Sequence, residues 1–99
     1  MKKTAPPSHL SAAARKLWAQ LTADYHLDDA AGMLLLQSAC EAFDRLQEAR
    51  KLIDREGAVT RDRWGQAKPH PACGIERDAR GQMHGALRLL KLAPGDVEG

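Results

Sequence analysis

Aromatic residues are nearly absent from this 99-residue chain, which holds one Phe, one Tyr and two Trp. With 43% hydrophobic and 28% charged residues beside them, the balance is that of a soluble, helix-forming chain and not of a disordered one. Cysteine is equally rare. Cys40 and Cys73 fall where helical periodicity assigns apolar faces, so they read as small buried hydrophobes and not as a disulfide framework. No apolar run approaches the roughly 20 residues of a membrane span, and "MKKTAPPSHL" lacks the apolar core of a signal peptide. A cytoplasmic protein with no membrane partner is expected. A single domain of this length buries only about two-thirds of the surface its unfolded form exposes, which argues against a deep, sequestered active site.

What the chain does have is an uneven charge. The net value is only +2. Residues 1–44 hold four Lys/Arg against five Asp/Glu, whereas residues 45–91 hold eleven against six. An anionic partner should therefore meet the second half.

The pattern predicts a mainly all-α fold of three helices with a long central helix. Residues 1–10, with Pro6 and Pro7, read as a flexible N-terminal tail, 11–94 as a single helical domain and 95–99 as a C-terminal tail. Ser11 is a good N-cap for a first helix to about Tyr25, with Leu10, Ala14, Leu17, Trp18, Leu21 and Tyr25 on one face. Asp28 or Asp29 can cap the second helix, which runs from about Asp29 to Glu56 and stops at Gly57. That rod is about 40 Å long. Its apolar residues, among them Met33, Leu35, Leu36, Ala39, Cys40, Phe43, Leu46, Leu52 and Ile53, cover close to half its circumference, more than one neighbour would bury. Self-association is the expected way to cover the remainder, with Leu36, Phe43, Leu46 and Ile53 as candidate interface residues; a compact monomeric three-helix bundle is the alternative.

Between the second and third helices, "AVTRDRWGQAKPHP" predicts a short hairpin or an irregular turn, with Gly65 as turn residue. Arg61, Arg63 and Lys68 make it basic. Trp64 stands either at the tip, where a basic loop with an aromatic grips nucleic acid, or beneath it as a lid on the core.

The third helix should begin just after Pro71 and end near Leu92, before Pro94. Ala72, Ile75, Ala79, Met83, Ala86, Leu87 and Leu90 form its apolar side. Arg77, Arg80, His84, Arg88 and Lys91 fall within an arc of roughly 80° on the other, and no carboxylate lies inside that arc. Like charges at such spacing repel. A stripe of this kind suits an anionic partner, either phosphates or the acidic side chains of a neighbouring subunit.

Chemistry-bearing motifs are missing. His70, Cys73 and His84 with Cys40 are the right types for zinc, but Cys73 is expected to face the core and His84 the basic side, so no metal and no other cofactor is expected. No Ser or Cys sits in a nucleophile elbow, and "GQMHG" is not a phosphate loop, so no catalytic residues are assigned. Gly81 and Gly85, costly inside a helix, suggest close approach of another helix.

The segments "APPSHLSAAARKLWAQL", "REGAV", "WGQAKPHP" and "LRLLKLAP", in this order, resemble a phage terminase small subunit of the compact, mostly helical type. The resemblance runs from about Pro6 to Pro94. It departs at Lys91, where the family usually has Gly. It implies a non-enzymatic component of a viral DNA-packaging motor, acting in the cytoplasm of the bacterial host cell, that assembles into a homo-oligomeric ring. Its implied partners are viral double-stranded DNA and the terminase large subunit, whose ATPase and nuclease it regulates. The basic residues named above, Arg61, Arg63, Lys68, Arg77, Arg80, His84, Arg88 and Lys91, are the candidate DNA contacts.

Two rival classes stand beside this one. A helix-turn-helix transcription regulator needs a recognition helix after a tight turn, and the second helix here is too long, with an apolar and acidic first half. A helical adaptor whose basic stripe meets an acidic protein fits the same residues.

Overall fold

The computed structural model describes residues 5–25, 27 and 29–91. Three helices and one hairpin follow each other as α1 (Ala12–Asp24), α2 (Ala30–Glu56), β1 (Val59–Arg61), β2 (Ala67–Pro69) and α3 (Pro71–Leu89). The mainly helical expectation holds, and the turn region is a regular two-stranded antiparallel hairpin. Residues 1–4 of the expected N-terminal tail, and residues 92–99, which take in the end of the expected domain and its C-terminal tail, lie outside the described residues.

Each helix starts at a side chain that satisfies a free amide. Ser11 Oγ accepts from Ala14 N at 3.0 Å, while Asp44 of α2 accepts both the Ser11 hydroxyl and its backbone N–H. The cap of α1 is thereby pinned to the middle of α2. Of the two aspartates considered for the second cap, Asp29 takes the role, accepting from Gly32 N at 3.0 Å. Gly57 ends α2 with φ 89°, a conformation that side-chain-bearing residues avoid.

Two packing seams hold the chain together. Along the first, Leu10, Ala14 and Trp18 bury against Leu36 and Cys40, flanked by Leu17, Leu21, Leu27, Met33, Phe43 and Leu90. Leu10 lies in a turn, with its N–H on Pro7 O, and is buried, so the segment just before α1 is docked on the core. Along the second, Ala42, Leu46 and Ala49 of α2 and Ala72, Ala79 and Ala86 of α3 are buried. Alanine at seven-residue intervals lets two helices approach towards the lower end of the usual 8–10 Å or so. Arg45 to Gln82, Arg50 to Glu76 and Glu56 to His70 fix α2 and α3 as antiparallel.

Several expectations need correcting. Leu36 and Leu46, candidates for a subunit interface, are buried within the protomer's own core, and Phe43 and Ile53 are half-buried. Ile75, placed on the apolar side of α3, is half exposed, because heptad-spaced Ala72 and Ala79 make the seam and Ile75 falls to its edge. Cys73 is only partly buried. Beside Gly81 and Gly85 the space that a side chain would occupy is open, so among the described residues no helix packs closely against those glycines. The third helix ends at Leu89, earlier than expected, and Lys91 has φ 62°. That left-handed conformation costs an L-residue roughly 1–2 kcal/mol and takes Lys91 off the helical stripe.

Candidate nucleic-acid interface

Of the eight basic candidates, Arg61, Arg63 and Lys68 stand in the hairpin and Arg77, Arg80, His84 and Arg88 on α3, while Lys91 lies just past the end of that helix. In the hairpin, Val59, Thr60 and Arg61 pair with Pro69, Lys68 and Ala67. Backbone bonds from Asp62 N to Gln66 O and from Gly65 N to Asp62 O close a loop of Arg63, Trp64 and Gly65. Gly65 has φ 79°, the positive-φ position that a three-residue hairpin loop requires.

Side chains lock this tip. Asp62 Oδ1 accepts from Trp64 N and Gln66 N, both at 2.9 Å, and its Oδ2 lies 3.7 Å from Lys68 Nζ. Arg61 Nη1 donates to Gly65 O at 2.8 Å. Arg63 stands over the Trp64 ring, with Cζ 4.9 Å from the centroid. Trp64 itself is 72% exposed. The lid alternative is therefore excluded: the indole sits at the tip, and the core is closed by Trp18, which is buried.

On α3, the stripe is less free than the helical wheel implies. Arg80 Nη2 donates to Glu76 Oε2 at 2.9 Å, and Arg50 Nε of α2 approaches the same oxygen at 3.9 Å. Glu76 borders the arc without lying in it, and a four-residue step brings the two side chains together. Arg77 lies 3.6 Å from Asp78 in a largely exposed pair, of a kind worth little in water. His84 and Arg88 are exposed and make no ion pair among the described residues. The outward-facing basic side chains least engaged by carboxylates are thus Arg77, His84 and Arg88.

Two counter-charges escaped the sequence reading. Glu76 was legible as the fourth residue before Arg80. Asp62, three residues before Gly65, carries the acceptor of a turn whose amides need one.

Elsewhere, ion pairs brace the scaffold. Glu41 Oε2 lies 3.0 Å from Gln37 Nε2 and 2.7 Å from His9 Nε2; these bonds, Gln37 first, hold its carboxyl below the ordinary range. Glu56 is lowered in the same way by His70 and then Arg55. Burial, helped by Asp44 and Glu41, pushes the Cys40 thiol up to about 11. Both cysteines are free. Among the described residues no group of three or more His, Cys, Asp or Glu side chains is placed to hold a metal ion, and no helix is long and apolar enough to cross a membrane.

No curated protein and no solved structure matches the chain. The family model described as phage terminase, small subunit, matches residues 12–97, a span that takes in all three helices and the hairpin. The chain belongs to the phage terminase small-subunit family.

Proposed function

We propose that this terminase small subunit binds viral double-stranded DNA through phosphate contacts, without catalytic chemistry of its own, and regulates the ATPase and nuclease of the large subunit in the host cytoplasm. The observation that carries the DNA contact is the outward row of Arg77, His84 and Arg88 on α3, continued at one end of the helix by the cations of the hairpin. Phosphate contacts of this kind give affinity and position with little base reading.

Assembly into a ring belongs to the same reading. Leu34 and Leu52 share an edge of α2, and Ile75 and Leu89 one of α3; the Arg45 to Gln82 hydrogen bond of 2.8 Å joins the two edges. Leu34, Ile75 and Leu89 are exposed, and a second copy seated there would cover them. Contacts weak in one protomer are multiplied by such repetition.

Affinity for duplex DNA at several salt concentrations tests the reading. Each neutralised phosphate contributes about 0.9 to the slope of log affinity against log salt, so Arg77→Gln with Arg88→Gln should lower the slope by roughly 1.8 at every sequence tried. An unchanged slope would remove α3 as the DNA surface. Light scattering tests the ring: a monomer or dimer at working concentration would favour the adaptor reading.

A further inference from the structure

Trp64 is an anomaly in a chain so poor in aromatics. An indole normally buries most of its surface, yet this one is 72% exposed at the end of a hairpin. It is not there for want of order. Asp62 holds the amides of Trp64 and Gln66, Arg61 holds the carbonyl of Gly65, and Arg63 lies over the ring. The backbone that carries the ring is held by these bonds, so ordering the loop on binding costs little.

The surroundings identify its ligand. The hairpin carries Arg61, Arg63 and Lys68 against the single carboxylate of Asp62, so the tip is positive. Trp and Arg also recur in protein-binding hot spots, but there the aromatic sits in the apolar, fully desolvated centre of a patch with a polar rim. Here the ring's neighbours in the loop are Arg63, Gly65 and Gln66. An aromatic face among cations suits a base and its flanking phosphates. In an intact duplex each base face is covered by its neighbours and only the edges are open in the grooves. Without wedging base steps apart, an indole stacks most readily on a base already out of the helix, as in a single-stranded tail, a gap or a frayed end.

The geometry points to Trp64 as a stacking platform for an unpaired nucleobase, with Arg63 behind the ring and Arg61 and Lys68 near the adjoining phosphates. This rests on the DNA-binding reading above and adds to it a preference for DNA with a single-stranded portion over blunt duplex.

The test uses the full chain and two labelled DNAs, a blunt duplex and the same duplex with an oligothymidine tail, titrated by fluorescence anisotropy. The wild type should bind the tailed DNA more tightly. Trp64→Ala should weaken tailed binding by about 5- to 150-fold, the equivalent of the roughly 1–3 kcal/mol of one stacked base, and leave the blunt duplex unchanged. Trp64→Phe should restore most of the difference. Oligothymidine should also quench the emission of Trp64 over a constant background from buried Trp18. Equal binding of the two DNAs by the wild type, or equal weakening of both by Trp64→Ala, would overturn the proposal while leaving the phosphate surface standing. Failure to bind either DNA would remove both readings. Loss of oligomer mass in Trp64→Ala, with DNA affinity intact, would make the tip a subunit contact and also overturn it.

Discussion

His70 Nε2 stands 2.7 Å from Glu56 Oε1, tying the start of α3 to the last turn of α2 behind the hairpin. The other ring nitrogen, Nδ1, accepts from Ala72 N at 2.9 Å. One imidazole thus donates to Glu56 through Nε2 and caps α3 through Nδ1, an arrangement that fits the tautomer with the proton on Nε2. His70→Ala removes both bonds. The lost cap alone should cost about 1 kcal/mol, lowering the melting temperature by roughly 4–8 °C if the chain unfolds in one step. A variant that melts with the wild type would show that α3 starts without this cap.

The two depressed carboxylates each add to the loss of stability in acid. Gln37 and then His9 lower Glu41, and His70 and then Arg55 lower Glu56. Each is a stronger acid folded than unfolded, so its contribution is complete above the ordinary Glu value of about 4.3 and fades as pH falls through the lowered folded value. Thermal melts between pH 3 and 7 should show stability falling below about pH 4.3. The Glu41→Gln/Glu56→Gln variant should start less stable at neutral pH and fall less steeply.

The two cysteines should separate by reactivity. Cys40 is buried, with its thiol pushed up to about 11. Cys73 is part-exposed, with Sγ 3.7 Å from Ala58 O. An aromatic disulfide reagent at pH 8 should modify Cys73 in the folded protein and reach Cys40 only on unfolding. The folded thiol of Cys40 stays neutral where the unfolded one ionises, so stability should decline as pH rises from about 8.5 towards 11, and Cys40→Ala should remove that part of the decline. Equal labelling rates at the two sites would contradict the burial of Cys40.

Most of the architecture was legible because it depends on local rules. Ser11, Gly57, Gly65 and Pro71 each act within a few residues of their own position and mark the boundary they were expected to mark, although the strand before the turn ends at Arg61 and not at Arg63. The α2–α3 seam was less visible. Ala42 and Ala49 carry little hydrophobic weight, so a search for large apolar residues passes over them, although their heptad spacing matches Ala72, Ala79 and Ala86. Long-range pairing was not legible at all: a helical wheel reports which residues share a face, not that Glu76 also meets Arg50 of another helix.

That seam is a sensitive place for added volume. Ala79 is buried in the middle of the series, where close helix approach leaves no room for a larger side chain. Ala79→Leu should destabilise by about 1–3 kcal/mol or more through overpacking, while the same change at exposed Gln82 should cost far less. Denaturant unfolding of both variants checks this. Similar midpoints would mean that α2 and α3 are loosely apposed.

The charge on the outer side of α3 can be raised as well as lowered, which separates an electrostatic surface from a merely exposed one. Glu76 holds Arg80 at 2.9 Å and lies 3.9 Å from Arg50, so it cancels one of two guanidinium charges next to the outward row. Glu76→Gln keeps the side-chain shape and removes that charge. Arg50 and Arg80 are both exposed, and pairs of this type typically contribute about 0–1 kcal/mol, so the fold should survive. If the surface meets phosphates, the variant should bind duplex DNA more tightly at low salt, and its salt slope should steepen by up to about 0.9 for each added phosphate contact. The rival site is the N-terminal segment, through Lys2, Lys3, Arg15 and Lys16. Removal of Lys2 and Lys3 that abolishes binding, with Glu76→Gln behaving as wild type, would place the DNA there and leave α3 to face a protein partner.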